Sequence, residues 1–461
     1  MKSLLKIFAI ASTMIASPSV AQLDPDVVQL QNDALTDELA FEITEGLTTE
    51  IGPRQGGTEA EARARTWSVK KLTDLGFANV RIEKFMMPTW VRGTETAVIT
   101  TPFPQKLTIT ALGNSGSTGA DGLEAEVVFF PTLGALAAVP DGSLKGKIAF
   151  VSHQMKRSQD GSSYGAFGRV RFFGPNIAAQ KGASAMVIRS VGTAYRRTPH
   201  TGNTNFSARV TPIPAAALSI PDSENLRRMI ERSNEPVRMK LVLTPQDIGQ
   251  QESGNVIAEV PGSDPSLPMI LIACHLDSWD LGTGAIDDGA GCGIITSAAH
   301  RIMNSGTKPK RTIRLLWAGA EEVGIWGGKD YAVVHKDAPH AIAMESDFGA
   351  DRVWRVEFNF PEAAKATQDK VITNLAPLGI GHNPSITAGG GADVRPIIGA
   401  QNLAIVDLQQ DGTRYFDLHH TPDDTLDKID PEQLRQNVAA WTTTLSIIAN
   451  SDVDFTMPAK E

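Results

Sequence analysis

Apolar residues recur at helical spacing in a few stretches of this chain and in short continuous runs in many others. Thr58-Glu59-Ala60-Glu61 has capping-box spacing; Ala60, Ala64, Trp67, Leu72 and Leu75 follow at roughly helical intervals, and Gly76 stops the predicted helix. Residues 80–86 alternate like a strand, and 94–101 and 106–111 read as further strands. From 112 to 122 a run rich in Gly, Ser, Asn and Asp reads as a hinge-like loop. Beyond it, 124–130, 147–153 and 185–189 are predicted strands, with a helix at 176–181 stopped by Gly182. Residues 218–220 lead into an amphipathic helix at 221–232, capped by Ser219 or Asp222, and a polar stretch at 246–253 closes this part.

From Asn255 onward strands and helices alternate. Strands are predicted at 269–274, 312–317, 342–345 and 403–408, and helices at 291–303, 361–375 and 431–448. The last helix has Asp430 as cap, Pro431 in its first turn and Gln433 at the capping-box position. The pattern predicts an α/β protein: a three-layer α/β/α sandwich around a mixed, mainly parallel sheet, interrupted by an inserted β-rich domain. The expected division is a leader at 1–21, a first part of the main domain at 22–119, the insert at 120–248, and the second part at 249–461. Ligands of such sheets bind at the carboxyl ends of strands.

At 461 residues, 41% hydrophobic and 21% charged, the chain has material for a sizeable core and for two domains. Residues 1–21 read as an export signal: Lys2 and Lys6, a mostly apolar run at 7–15, and Ser19-Val20-Ala21 as a cleavage site before Gln22. That run is too short to span a bilayer, and no later stretch reads as a transmembrane helix. An exported protein, periplasmic or secreted and free of the membrane once the signal is removed, is therefore expected. A net charge of −9 without a basic run argues against nucleic-acid binding. The two cysteines, Cys274 and Cys292, are too few for a disulfide framework. They either pair after export or pack strand against helix as small buried residues, and packing is the preferred reading.

Five residues stand at or just past probable strand ends, or in loops rich in Gly and acids: His275, Asp287, Glu322, Asp347 and His420. Imidazoles mixed with carboxylates suit a divalent metal such as zinc. Asp277 is placed to accept the other N–H of the His275 ring. In the turn at 284–291, Asp287 reads as a bridging ligand and Asp288 as the cap of the next helix. Of the pair Glu321-Glu322, one carboxylate can ligate while its neighbour takes a proton from a water. Adjacent side chains diverge, so only one of His419 and His420 is expected to ligate, with Asp424 or Thr425 holding the loop.

Taken in order over about 275–425, His-x-Asp, Gly-Ala-x-Asp-Asp-Gly-x-Gly, Glu-Glu, Ser-Asp and His-Thr-Pro-x-Asp-Thr resemble the co-catalytic di-zinc aminopeptidase family. With Gly52-Pro53-Arg54 and Gly389-Gly390-Gly391-Ala392-Asp393, the chain resembles that family's plasma glutamate carboxypeptidase (carboxypeptidase Q) branch. Residues 178–188 are similar to the helix-to-strand turn of a protease-associated domain. The resemblance implies the zinc exopeptidase fold, two Zn2+ per chain, peptide substrates, and a homodimer as one assembly open to it. It implies that His275 and Asp347 hold one zinc and Glu322 and His420 the other. Asp287 would bridge them through a cis peptide to Asp288, and Glu321 would be the general base. His419 or Tyr415 would hydrogen-bond the tetrahedral intermediate. Asp393, Glu345 and Arg395 are candidates for holding a substrate terminus, and the loop at 165–175, with Arg169 and Arg171, for overhanging the site. Two other readings are open: another amide hydrolase or a one-zinc glutaminyl cyclase, and a receptor-like binding protein that has lost ligands.

Overall fold

The short apolar runs become buried strands, and the helical stretches cover them. The computed structural model describes residues 23–459; the signal expected at 1–21 lies outside them. No helix among the described residues is long and apolar enough to cross a membrane. The described residues form two sheets of eight strands each.

The first sheet contains β1 (Ala78–Val91), β10 (Gln246–Val260), β11 (Met269–His275), β12 (Ile313–Ala318), β13 (His340–Glu345), β14 (Val353–Asn359), β15 (Gly381–Thr387) and β16 (Ala404–Gln410). Their order is β1-β10-β12-β11-β13-β16-β14-β15. The central strands β12, β11 and β13 are parallel neighbours. Covered on both faces, they need no polar alternation, which is why β11 reads as one apolar run and β12 and β13 are apolar apart from Arg314, His340 and Glu345. One face carries the helices Glu59–Asp74, Ala290–Met303 and Pro431–Ile448, and the other Trp326–Val334 and Arg395–Gln401. The three-layer α/β sandwich is therefore as expected.

The second sheet contains β2 (Glu95–Thr101), β3 (Gln105–Leu107), β4 (Ile109–Ala111), β5 (Leu123–Phe130), β6 (Lys147–Val151), β7 (Ala185–Arg189), β8 (Ala215–Leu218) and β9 (Arg238–Leu243), in the order β3-β2-β9-β5-β6-β7-β8-β4. Strands β5 to β8 run parallel, with helices at Arg169–Gln180 and Ile220–Arg232.

Capping chemistry placed several helix starts correctly. The Thr58 hydroxyl accepts from the Glu61 N–H, Ser219 rather than Asp222 caps its helix, and Asp430 accepts from the N–H groups of Glu432 and Gln433. The box at Thr58 is not reciprocal, since the Glu61 carboxylate accepts instead from the Gly57 N–H at 3.0 Å.

Three boundaries differ from the sequence reading. Residues 95–111, assigned to the main domain, pair into the second sheet, because β2 lies against β9 and β4 against β8. The polar stretch at 246–253, read as closing the insert, is the first half of β10, paired antiparallel with β1. Backbone pairing holds this ribbon while the side chains of 246–252 stay largely in solvent, so no apolar alternation marks it. The expected loop at 165–175 is helical, in Ser163–Phe167 and Arg169–Gln180.

Cys274 and Cys292 form a disulfide, which corrects the preference for simple packing. The end of β11 lies against the first turn of the helix Ala290–Met303, and their Cα atoms are 5.1 Å apart, within disulfide reach.

Candidate active site

Parallel strands bring their carboxyl ends to one edge of the sheet, and five of the expected residues meet there. His275 ends β11, beside Ala318 of β12. Glu321 and Glu322 follow β12, and Asp347 follows β13. Asp287 sits in the turn between β11 and the helix Ala290–Met303, and His420 follows β16 through the short helix Tyr415–Leu418. His275 Nε2 lies 3.1 Å from Asp287 Oδ1 and 3.5 Å from Asp347 Oδ1. His420 Nε2 lies 3.2 Å from Asp287 Oδ2 and 2.9 Å from Glu322 Oε2. The two oxygens of Asp287 thus face the two imidazoles.

The His275 ring has one nitrogen assigned by its surroundings. Its Nδ1 is 2.9 Å from the backbone carbonyl of Asp277, which only accepts, so Nδ1 carries a hydrogen and Nε2 is the nitrogen turned to the carboxylate oxygens. Carboxylates converging on that nitrogen in a buried site call for positive charge there, from a proton on the ring or from a metal ion that takes its place. Glu322 Oε1 is also buried without a hydrogen-bond donor. This donor set fits a divalent metal of the zinc type. The combination of His275, Asp287 and Glu322, and that of His275, Asp288 and Asp347, each offer ligand atoms within 4.8 Å of one another.

Electrostatics here is a contest between burial and neighbouring charge. Burial works against a charged His275, but Asp347, Asp277 and Asp287 outweigh it and hold its pKa well above the ordinary value. His420 is raised in the same way by Glu322 and Asp287 against its burial. Asp287 is held well below the usual carboxylate range, because its bonds to His275 and His420 overcome burial. Glu321 is pushed well above that range by burial, with Asp347, Glu322 and Asp277 adding to it.

Other expected residues are placed differently. Asp277 does not accept the His275 N–H through its carboxylate; Oδ1 is 3.7 Å from Nδ1. The fully buried carboxylate accepts instead from the backbone N–H groups of Glu321 at 2.9 Å and Glu322 at 3.3 Å. It sets the turn carrying both glutamates. Asp288 caps as expected, accepting from the N–H groups of His275 and Gly291, and its peptide bond to Asp287 is cis.

Asp393 is fully buried and does not face an opening, contrary to its expected contact with substrate. It is packed behind Gly328 and beside Glu345, whose carboxylate accepts from the Val394 N–H at 2.8 Å. A cavity of about 150 Å³ opens beside Asp347, lined by Glu345, Phe348, Gly390 and Asp407 among others. A much larger groove of about 1290 Å³, lined by Asp33, Asp37 and His300, touches none of the five residues.

Tyr415 and His419 flank the cluster, and the His419 ring stacks on that of His420 at 4.0 Å between centroids. Burial, with the charges of His420, His200 and Arg171, holds His419 well below the ordinary histidine range, so its ring is neutral. Both of its ring nitrogens are buried without a hydrogen-bond partner among the described residues.

Of two supporting groups, Arg54 was not legible as such, and Asp424, expected to hold its own loop, also reaches the turn of Asp287. Arg54 is fully buried and donates to the carbonyls of Leu276, Thr283 and Gly284 at 2.6, 2.6 and 2.8 Å. Asp424 accepts from the Ile286 N–H at 2.7 Å. Together they hold the turn bearing Asp287. Gly-Pro-Arg and Asp-Asp were the available signals, but neither states its target.

Residues 255–445 match the model of peptidase family M28. Carboxypeptidase Q of Bos taurus is 33% identical over 409 residues, spanning 88% of this chain and 84% of that protein. A peptidase M28 precursor from Shewanella amazonensis SB2B is similar in structure, with a TM-score of 0.91 and 43% identity over 94% of this chain and 98% of that one. A zinc aminopeptidase from Bacillus subtilis, at 19% identity, shares the fold, with a TM-score of 0.66 over 91% of this chain and 96% of that one. With its five metal-competent residues inside the matched region, and a shared sequence over most of both lengths of a carboxypeptidase Q, the chain belongs to peptidase family M28.

Proposed function

We propose that this protein is an exported di-zinc exopeptidase that hydrolyses peptide bonds near a free terminus. The observation that carries the reading is the central position of Asp287, one oxygen toward each imidazole. In this reading His275 and Asp347 would hold one zinc and Glu322 and His420 the other, with Asp287 placed to serve both. When bound, the two zincs supply Lewis-acid polarisation of the scissile carbonyl and activation of a water. Glu321 takes the proton of the attacking water and delivers it to the departing amine. Its burial among carboxylates raises its proton affinity, which suits a group that must both accept and release a proton. Asp277 keeps Glu321 and Glu322 in register by holding their backbone N–H groups. His419 or Tyr415 donates a hydrogen bond to the oxyanion of the tetrahedral intermediate.

Export is supported by the leader pattern at 1–21 and by the Cys274–Cys292 disulfide, which belongs in an oxidising compartment. The second sheet, with its helix-to-strand turn at 178–188, is read as a protease-associated insert. A cyclase or receptor reading is less well supported, because such proteins lose ligands and here the whole set converges.

The test is metal content and hydrolysis of leucyl-p-nitroanilide, an unblocked dipeptide and an N-blocked peptide, with Glu321→Gln as control. Two zincs per chain and cleavage only of substrates with a free terminus are expected. Glu321→Gln is expected to keep both zincs and lose about 10²–10⁴-fold in kcat. One zinc, or wild-type turnover no faster than Glu321→Gln, would defeat the proposal.

A further inference from the structure

The segment that carries His420 belongs to the first sheet by connection, yet much of what touches it comes from the second. The Gly412 N–H donates to the Gln159 carbonyl at 2.8 Å, and the Thr193 N–H donates to the Phe416 carbonyl at 3.0 Å. The Asp417 carboxylate accepts from the Thr193 hydroxyl at 2.6 Å and from Arg157 at 2.6 and 2.7 Å. The grip tightens at the last two residues. His200 Nδ1 donates to the His419 carbonyl at 2.9 Å. The Thr201 N–H donates to the His420 carbonyl at 3.0 Å, and the Thr201 carbonyl lies 3.2 Å from His420 Nδ1.

His420 needs such holding. Its φ is +62°, in the left-handed region that a side chain with a Cβ enters only when its surroundings impose it. Its ring needs holding too: a histidine that gives Nε2 to a metal keeps hydrogen on Nδ1, and that hydrogen has to meet an acceptor. Two groups lie 3.2 Å from that nitrogen, the Thr201 carbonyl and Arg171 Nη1; the guanidinium can only donate, so the Thr201 carbonyl is the one of the two able to accept the hydrogen. Thr201 is itself fixed, fully buried, with its hydroxyl donating to the Ala111 carbonyl at 2.8 Å and accepting from Arg92 at 3.1 Å. Arg171 braces the same carbonyl at 3.3 Å, in space left free at Gly202, where a Cβ would lie 2.4 Å from the guanidinium.

We propose that the second sheet is a working part of the metal site, with Thr201 as the positioning residue that sets both the backbone and the ring of His420. The inference rests on the reading of His420 as a zinc ligand. The Thr201 hydroxyl is hydrogen-bonded to Ala111 and Arg92 and not to His420, so its loss acts on His420 through the position of the Thr201 backbone.

The experiment titrates the two zincs of the full-length protein against a chromophoric chelator, for the wild type, Thr201→Val, Thr201→Ser and His200→Ala, with the melting temperature of each zinc-free protein alongside. Thr201→Val keeps the volume and loses the hydroxyl; Thr201→Ser restores it. The expected result is a roughly tenfold weaker constant for one zinc in Thr201→Val and His200→Ala, an unchanged constant for the other, and near wild-type values in Thr201→Ser. Arg238→Ala, a change elsewhere in the second sheet, is expected to bind both zincs as the wild type does. The inference falls if both constants stay at wild-type values in Thr201→Val and His200→Ala, or if both weaken together as the zinc-free protein melts earlier. His200→Ala carries the test alone if Thr201→Val does not fold. A wild-type protein that retains no zinc would instead overturn the reading of the site itself.

Discussion

A buried imidazole with two empty ring nitrogens is the residue that most needs an explanation. His419 stacks on His420 and Tyr415, yet neither nitrogen has a partner. A neutral ring has one N–H, and an N–H left unpaired in the interior is costly unless something arrives to accept it. The oxyanion of a tetrahedral intermediate would do so. His419→Phe, which preserves the stack, is therefore expected to lower kcat by about 10²-fold while both zincs remain bound. Unchanged turnover in that variant, with a loss in Tyr415→Phe, would move the role to the tyrosine hydroxyl.

At this scale the sequence was readable where chemistry demands a residue type. The five residues that converge, with Glu321 next to them, could be named because carboxylates and imidazoles at strand ends, taken in that order, resemble the motifs of a known family. Asp393 misled, since an acid in a Gly-rich loop looks solvent-facing and only the packing of Gly328 against it shows that it is buried. Asp277 was found, but with the wrong partner: its carboxylate serves two backbone N–H groups that no motif specifies.

Among the elements, the helix Glu59–Asp74 shows how a cap position can acquire a pH dependence. Burial pushes the Glu61 carboxyl up to about 7, although Arg65 and the bonds from Ser253 and Gly57 pull the other way. A raised carboxyl favours the folded state while it is protonated. Its contribution is complete below about pH 4.5 and is lost as the pH rises through about 7, as the folded chain ionises a buried group. The shift corresponds to about 3 kcal/mol. Glu61→Gln lacks that loss, so its stability relative to the wild type is expected to improve by about that amount between pH 4.5 and pH 8.5. Urea unfolding at the two pH values checks it, and a difference that does not change with pH would rule out Glu61 as the source.

Elements with apolar periodicity or capping residues were located from sequence, as β11 and the helix Pro431–Ile448 show. The first half of β10 was missed because its pairing with β1 is a property of two backbones and leaves no mark in side-chain polarity. For the same reason β2 to β4 were assigned to the wrong sheet: a strand's pattern says that it pairs, not with which partner.

For the whole molecule, the proposed metal would be coupled to the fold. The proposed ligands come from four separate stretches of chain, after β11, β12, β13 and β16, so a cation held by them would tie those stretches together only in the folded state. Stripping the metal is expected to lower the melting temperature by several degrees. Free zinc at a hundred times its dissociation constant is expected to restore on the order of 3 kcal/mol per ion held. A calorimetric scan with and without chelator measures this, and identical melting in both would show that the cluster holds no ion under those conditions. The three-layer architecture was legible from the alternation of strands and helices, but contacts between the two sheets were not, since Thr201 and His420 are 219 residues apart and neither belongs to a recognisable pattern with the other.

The chain leaves the first sheet at the end of β1 and re-enters it at the start of β10, and these two points, Val91 and Gln246, are register partners in one antiparallel ribbon. Such an arrangement makes the whole second sheet a cassette: ancestry could splice it in or out at a single hairpin without cutting any strand of the host. What resists excision is chemical. A chain cut back at that hairpin would keep the five converging residues and lose the Thr201 carbonyl beside His420; on the proposed reading of His420, it would need another acceptor for that one hydrogen.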